Sequence, residues 1–566
     1  MDKRTTLALL LMAALLMIYP AIFMRHEPEP QRTPQKTEVP PPPAKTPDAP
    51  TAGSVATPAP VPPRDAPAVP ERTAEIDGPL YHAKINSTGG RFLGWELRYR
   101  GEKPFVVQGG LLSRGLAVLR PGQPPRPIGF MVSTDKLSLG PSTPTGEIVL
   151  TGEDGFGLRI TETLRFHADS YVIDHRLKVE NRQTVPQSAE VQIGWAAPAE
   201  PSKDAPEKFQ GQHPIRVVRL ADGSVHREVL AKSTDFSAAG QWIGLESEWY
   251  LTALIPKSPG MLLVEAKGSE PHGEASKPTD VAQVALKIPL LALKPGEAWE
   301  GELQTYLGPK EYDRLKAVGV HLEKSIYFGG FPLPQAYGGL PMEWLAVPIL
   351  WVMHRFYEFT HNYGVAIILL TVITKVIFFP LTIKSMTSMR AMQALQPQIN
   401  ALRSKYKSDP QRLQRETMEL YRTHKVNPLG GCLPMVVQIP IFYALYVALS
   451  VSVEIQNAPF ICFGRLFGVD LWICDLASHD PTYILPILMG ISMFIQQKMT
   501  PVMGDPRQAK MMLFMPVVFT FMFLNLPAGL VLYWTLSNVL QIAQQKYMER
   551  LGKKTEKAPA RATKKA

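Results

Sequence analysis

Five apolar runs follow one another in the C-terminal part of the chain, at residues 362–381, 433–453, 483–499, 511–526 and 529–543, and they restrict the folds open to it. A helix crosses the hydrocarbon core of a bilayer with about 20 apolar residues, and backbone at that depth must close its hydrogen bonds within its own helix. A succession of such runs therefore predicts a bundle of membrane-spanning helices. The last two runs cannot be one helix: from Met511 to Tyr547 it would be about 55 Å long, and Pro527-Ala528-Gly529 supplies a break. Another uncharged run, residues 5–24, heads the chain between Lys3-Arg4 and Arg25-His26. No A-x-A-like cleavage site follows it, which favours an uncleaved anchor over a removed signal.

A formal charge of +10 fits nucleic acid, anionic lipid or an acidic partner equally well, so position has to decide. Between the first two C-terminal runs stand Lys384, Arg390, Arg403, Lys405, Lys407, Arg412, Arg415, Arg422 and Lys425, against Asp409, Glu416 and Glu419. The loop after Val453 has Arg465 against Glu454, Asp470, Asp475 and Asp480, and the tail after Ala543 is basic again, with Lys546, Arg550, Lys553 and Lys554. Cations that flank apolar runs mark cytoplasmic loops rather than a DNA-reading face, so no DNA partner is expected. The pattern predicts six spans, the N-terminal one included, with both termini and the basic segment inside. Trp344 to Met353 is too short to cross and is expected to lie in the outer interface, anchored by Trp344, Trp351 and Tyr357. In the basic segment Met386, Met389, Met392, Leu395, Ile399, Leu402 and Tyr406 recur at helical spacing, Ser408-Asp409-Pro410 turns the chain, and Leu413, Thr417, Leu420 and His424 recur likewise. This reads as a cytoplasmic helical hairpin whose basic face suits ribosomal RNA or anionic headgroups.

Upstream, residues 28–70 are crowded with proline and carry almost no large apolar residue, the composition of an extended tether. From Tyr81 to Leu307 the period changes to two. Leu158, Ile160, Leu164 and Phe166 alternate with Arg159, Thr161, Thr163 and Arg165, while Tyr171, Ile173, Leu177 and Val179 share one face, as do Val191, Ile193 and Trp195. Several such strands predict a large antiparallel β-sandwich. No Ser/His/Asp or paired-carboxylate spacing stands out in it, and its scattered His and Glu read as surface residues. The chain has 3 cysteines, too few for a disulfide scaffold or a Cys-rich zinc site. Cys462 and Cys474 share one loop outside the cytoplasm, where a disulfide would persist.

The expected organisation is an anchor at 1–27, a Pro-rich linker at 28–74, the β domain at 75–320 and a connector with the interfacial helix at 321–361. The second span (362–382), the helical hairpin (383–428), the remaining spans (429–545) and a basic tail (546–566) complete it.

Lys375 is the chemically informative residue. It stands in Thr371-Val372-Ile373-Thr374-Lys375-Val376-Ile377, about 5 Å to the cytoplasmic side of the run's midpoint at ~1.5 Å per residue. A cation at such depth costs about 2.5–3.5 kcal/mol, and no Asp or Glu falls inside the other runs to pair with it. A water-filled groove open to the cytoplasm accounts for it; the alternative is a stem that snorkels to the inner interface. Thr371, Thr374, Gln438, Ser492, Gln496, Gln497, Ser537 and Asn538 are candidates for lining the same cavity, or simply for helix-to-helix hydrogen bonds. The last three runs are shorter than a typical bilayer requires and would thin it locally.

Tyr363-Gly364, Phe379-Pro380-Leu381-Thr382, Leu395-Gln396-Pro397, the stretch from Lys425-Val426-Asn427-Pro428 to Cys432-Leu433-Pro434, Gln438-Ile439-Pro440-Ile441-Phe442 and Pro527-Ala528-Gly529-Leu530-Val531-Leu532-Tyr533-Trp534 complete the picture. Together they resemble the YidC/Oxa/Alb family of membrane insertases, and the anchor and β domain resemble its long Gram-negative form. The resemblance implies a polytopic α-helical protein of the bacterial inner membrane with a periplasmic β-supersandwich. It further implies a positively charged groove, open to cytoplasm and lipid, through which inner-membrane proteins are inserted and folded alone or with the Sec translocon. Nascent membrane proteins, the Sec translocon with its accessory subunits, the ribosome and signal recognition particle pathway, and membrane lipids are the implied partners. No cofactor, metal or catalytic residue is expected. The family's groove arginine falls on Lys375, which keeps the charge but loses the bidentate fork. Thr371 and the Tyr533-Trp534 pair fall where the family contacts an emerging client helix. A solute transporter would instead carry an internal repeat and a paired ionisable site, and a carbohydrate enzyme would carry catalytic carboxylates in the β domain.

Overall fold

The computed structural model describes residues 70–557 apart from 100–101, 107–109, 121–125, 200–212, 272–277, 332–338, 408, 427–432, 467–468 and 500–505. The expected anchor, most of the proline-rich linker, the 427–432 stretch with Cys432, and the end of the basic tail lie outside the described residues. The chain forms two compact units that divide between Ile326 and Tyr327.

In the first unit, strands with period-two burial assemble into three sheets. Leu158–His167 buries Leu158, Ile160, Leu164 and Phe166 and exposes Arg159 and Arg165, as the alternation requires. It pairs antiparallel with Val172–Asn181, Leu164 opposite His175 and Glu162 opposite Leu177, and on its other side with Thr145–Glu153. These strands belong to a sheet of 9 strands; a sheet of 6 is built around Pro278–Leu293 and Gln187–Pro198, and a sheet of 5 around Tyr81–Asn86. One pairing departs from the antiparallel expectation: Thr73–Asp77 runs parallel to Lys136–Ser138.

The expectation that the His and Glu of this unit are surface residues holds for such residues as Glu147 and Glu300 and fails at four positions. Glu162, His175, Glu246 and Glu265 are all buried. Each sits at an inward strand position, where only a partner makes burial of a charge tolerable. His175 Nδ1 lies 2.8 Å from a Glu162 carboxylate oxygen and its Nε2 lies 3.0 Å from Thr305 Oγ1. Arg219 and Ser233 donate to the two oxygens of Glu265. Glu246 holds Lys310 Nζ at 3.2 Å, Arg216 Nε at 3.2 Å and Arg227 Nε at 3.8 Å.

Burial pushes the Glu246 carboxyl up, but the charges of Lys310, Arg216 and Arg227 outweigh it and hold the group below the ordinary carboxylate range. A carboxyl whose folded pKa is depressed stabilises the fold above its unfolded pKa, and this contribution is lost as pH falls through the folded value. The thermal midpoint of the β unit is therefore expected to fall as the buffer is taken from about pH 5 to about pH 3, followed by tryptophan fluorescence of the detergent-solubilised chain. A Glu246→Gln chain should show a shallower acid slope.

A short helix, α1 (Tyr312–Ala317), and a 3-10 turn at Leu322–Ser325 end the first unit. The second unit is helical: α2 (Glu343–Thr360), α3 (Tyr363–Ile377), α4 (Phe379–Ala394), α5 (Gln396–Lys405), α6 (Pro410–Thr423), α7 (Leu433–Val451), α8 (Ile484–Met499), α9 (Pro506–Phe523) and α10 (Ala528–Lys557). Three sequence expectations change here. The run at 362–381 is not straight, because α3 ends at Ile377 and α4 leaves it at 59°. Pro380, in the first turn of α4, has no N–H to continue the ladder. The first helix of the expected hairpin likewise breaks at Leu395, with Pro397 in the first turn of α5. Of the expected Ser408-Asp409-Pro410 turn, Ser408 lies outside the described residues; the Asp409 carboxylate caps α6 by accepting from Arg412 N at 3.0 Å, and α6 packs on α5. α10 runs on past the apolar stretch to Lys557, through residues expected to be tail.

Among the described residues no single helix is long and apolar enough to cross a bilayer; α3 with α4 passes that test only as the bent pair, and 438–451, 484–499 and 513–523 are shorter apolar helices. Large apolar side chains nevertheless face outward, Ile484, Ile487, Leu488, Ile491 and Ile495 on α8 and Leu513, Phe514, Val517 and Phe521 on α9. In water such faces would be expensive to leave uncovered.

Candidate functional site

α3 and α10 enter the helical unit from fixed ends. Asn362 caps α3 by accepting from Val365 N at 3.2 Å, and its amide donates to the Phe460 carbonyl at 2.9 Å. α10 starts after Pro527, with Ala528 N bound to Ser478 O at 2.7 Å and Gly529 N to Leu476 O at 3.0 Å. A Cβ on Gly529 would stand 3.2 Å from Ile367 Cδ1, so the glycine lets α10 approach α3 closely at this end.

Farther along the same two helices a narrow cleft opens between α3, α4, α7 and α10. Its lining is Thr374, Lys375, Phe378, Leu381, Thr382, Gln438, Ile441, Tyr533 and Gln541, among which no residue is acidic. Lys375 occupies the last turn of α3, where the carbonyl end of the helix dipole favours a cation. Its ammonium donates to Gln541 Oε1 at 3.2 Å. The side chain thus lines a cleft, as the groove alternative expected, and is in addition bonded to a neighbouring helix, which neither alternative included. The bonded group is a neutral amide, which orients the charge without cancelling it.

The structure brings together Lys375, Thr374, Gln438 and Tyr533 in this lining, with Ser537 directly behind, accepting from the Gln438 amide at 3.4 Å. Trp534 sits next to Tyr533 but faces an aromatic cluster, 4.3 Å from Phe442 and 5.0 Å from Phe523 between ring centres. Thr371 is outside the lining: it is fully buried and its hydroxyl donates to Ile367 O. Gln496, on α8, is not among the lining residues either. Ser492, also on α8, accepts from the Asn538 amide at 3.2 Å, the interhelical bond that its sequence also allowed. The sequence reading missed Gln541, although it follows Tyr533 and Ser537 at a spacing of four residues, which puts all of them on one face of α10. Cys462 and Cys474 form a disulfide in the loop between α7 and α8. Among the described residues no cluster of His, Cys, Asp or Glu is arranged to hold a metal.

A family model described as the YidC periplasmic domain matches residues 73–352, and one described as the 60Kd inner membrane protein matches residues 355–556. The membrane protein insertase YidC of Syntrophus aciditrophicus is 36% identical over 583 residues, covering 97% of this chain and 100% of its own. That of Geobacter metallireducens is 37% identical over 571 residues, covering 97% and 98%. A crystal structure described as an active YidC insertase with the first transmembrane domain resolved aligns at 18% identity and a TM-score of 0.34, covering 85% of this chain and 93% of that one. The matches in sequence, spanning both units almost end to end, make the chain a member of the YidC family of membrane protein insertases.

Proposed function

We propose that this chain inserts and folds membrane proteins by receiving a hydrophilic client segment in the Lys375 cleft while the client's apolar helix passes along the neighbouring spans into lipid. The observation that carries this reading is an ammonium in a cleft without a carboxylate, held by the neutral Gln541 amide, beside helices whose apolar faces point outward. The cleft offers an uncancelled positive field to an acidic segment in transit, and burial of client apolar surface in lipid supplies the free energy, so no nucleotide is required. α8 and α9, short as apolar helices, support local thinning of the bilayer that lowers the barrier to entry.

In this reading the chain has six spans with both termini in the cytoplasm, the bent α3–α4 pair supplying one crossing and the inner start of the helical hairpin. The domain boundaries given by the sequence are carried as part of the same proposal. The basic α5–α6 pair serves the ribosome, the signal recognition particle pathway or anionic lipid, and the Sec translocon assists with some clients. The disulfide between Cys462 and Cys474 supports an oxidising side for the α7–α8 loop, and with it the proposed orientation. No covalent chemistry is assigned to the chain.

Site-specific photocrosslinking tests the proposal. A crosslinker at Gln438 or Trp534 should capture ribosome-bound nascent chains while the first apolar helix of the client emerges, and one at the exposed Met131 of the β unit should not. No capture at either position across a full series of nascent-chain lengths would end this reading.

A further inference from the structure

The loop between α7 and α8 holds an antiparallel hairpin, Ile461–Leu466 with Val469–Ile473, in which Cys462 stands opposite Trp472. Its two ends are fastened to different helices. At the first end, the Phe460 carbonyl accepts from the Asn362 amide at the N-terminus of α3, and the Phe460 ring lies against Gly364, where a Cβ would come within 2.1 Å of it. At the second end, Asp475 accepts from Asn457 N and Ala477 N, each at 2.9 Å, and fixes the turn. That turn presents the Leu476 and Ser478 carbonyls to the Gly529 and Ala528 amides, the first donors of α10. Leu476 itself is fully buried. The hairpin base is thus a bracket across the starts of α3 and α10, the helices that carry Lys375 and Gln541. Phe460 N also donates to Ile473 O at 3.1 Å, so the two ends of the bracket are joined by backbone. The Cys462–Cys474 bond closes the same base, with Cα atoms 4.6 Å apart, and Cys462 is exposed to reagents.

We propose that Cys462 and Cys474 form an oxidative modification site whose disulfide locks this bracket and so holds the starts of α3 and α10 at a fixed spacing. The oxidant is an external disulfide acting by thiol–disulfide exchange. The thiolate of one cysteine attacks it to give a mixed disulfide and releases one thiol. The second cysteine then displaces the other, so that the new S–S bond takes two electrons and two protons from the pair and leaves two reduced thiols on the oxidant. The sequence separation of 12 makes the closed loop short, and a bridge over such a loop shifts the balance between closed and open forms by about a hundredfold.

The test uses the full chain in membrane vesicles and does not depend on insertion activity. Alkylation with a maleimide-polyethylene glycol after denaturation should add one adduct without reductant, at Cys432, and reach all 3 cysteines only after reduction. Hydrogen exchange read by mass spectrometry should show the Ala528 and Gly529 amides exchanging about tenfold faster or more once the folded chain is reduced, with recovery on adding oxidised glutathione. The double variant Cys462→Ser with Cys474→Ser should exchange at the reduced rate throughout; if it fails to fold, the cycle of reduction and reoxidation on the parent chain decides alone. Three adducts without reductant would overturn the modification site. Unchanged exchange at Ala528 and Gly529 after complete reduction would overturn the bracket.

Discussion

Lys375→Glu is expected to lower insertion of clients with an acidic translocated segment by about tenfold to a hundredfold, and of clients with a neutral segment by much less. Two unit charges about 6 Å apart interact by about 1.5–3 kcal/mol at the effective dielectric of a wet protein cleft, and each ~1.4 kcal/mol is a factor of ten. Reversal turns that attraction into repulsion. The substitution suits the question because Gln541 can rotate its amide and donate to the new carboxylate, so the packing partner of residue 375 is retained while the charge changes sign. Lys375→Arg should keep activity, and Lys375→Gln should fall between. Insertion into proteoliposomes of paired clients that differ only in the charge of the translocated tail gives the measurement. An equal loss for both clients would mean that residue 375 acts through packing, and the electrostatic part of the mechanism would have to be abandoned.

The largest stability effect belongs to the β unit. Glu246→Ala should destabilise it by about 3–5 kcal/mol, lowering the thermal midpoint by roughly 10 °C, because it leaves Lys310, Arg216 and Arg227 facing one another without a counter-charge. Lys310 is almost as buried as Glu246, so solvent cannot take over the missing interaction. Glu300→Ala is the proper control: Glu300 pairs with Lys178 on the surface, and such pairs contribute only about 0–1 kcal/mol. Equal midpoints for the two variants would mean that the Glu246 cluster relaxes or hydrates, and that its ion pairs do not hold the end of the β unit together.

Much of the architecture was legible along the chain because it depends on periodicity and local breakers. Alternation predicted strands such as Leu158–His167, and the same inward positions that hold Ile160 and Leu164 also hold Glu162. That a glutamate is tolerated there could not be read, since its partner His175 comes from a neighbouring strand and Thr305 from a segment 130 residues away from His175. The turn at Asp409-Pro410 is readable from its capping chemistry, but the bend before Pro380 falls inside an apolar run whose continuity masks it, and Lys375 stands in the last turn of a shorter helix rather than at mid-run.

By itself the sequence determined that the chain has a β part and an apolar helical part, that cations gather beside the apolar runs, and that one lysine stands deep in such a run with no acid inside the other runs. Those properties are carried by composition and spacing, which act over a few residues. The tertiary structure alone decided that Thr371 is packed away while Thr374, Gln438 and Tyr533 line the cleft, that Gln541 is the group bonded to Lys375, and that the Cys462–Cys474 hairpin ties the starts of α3 and α10. Each of these depends on which faces of distant helices meet. A helix fixes the angular order of its own side chains but not its rotation against a neighbour, and that rotation is set by close contacts such as Gly529 on Ile367 and Gly490 on Thr520.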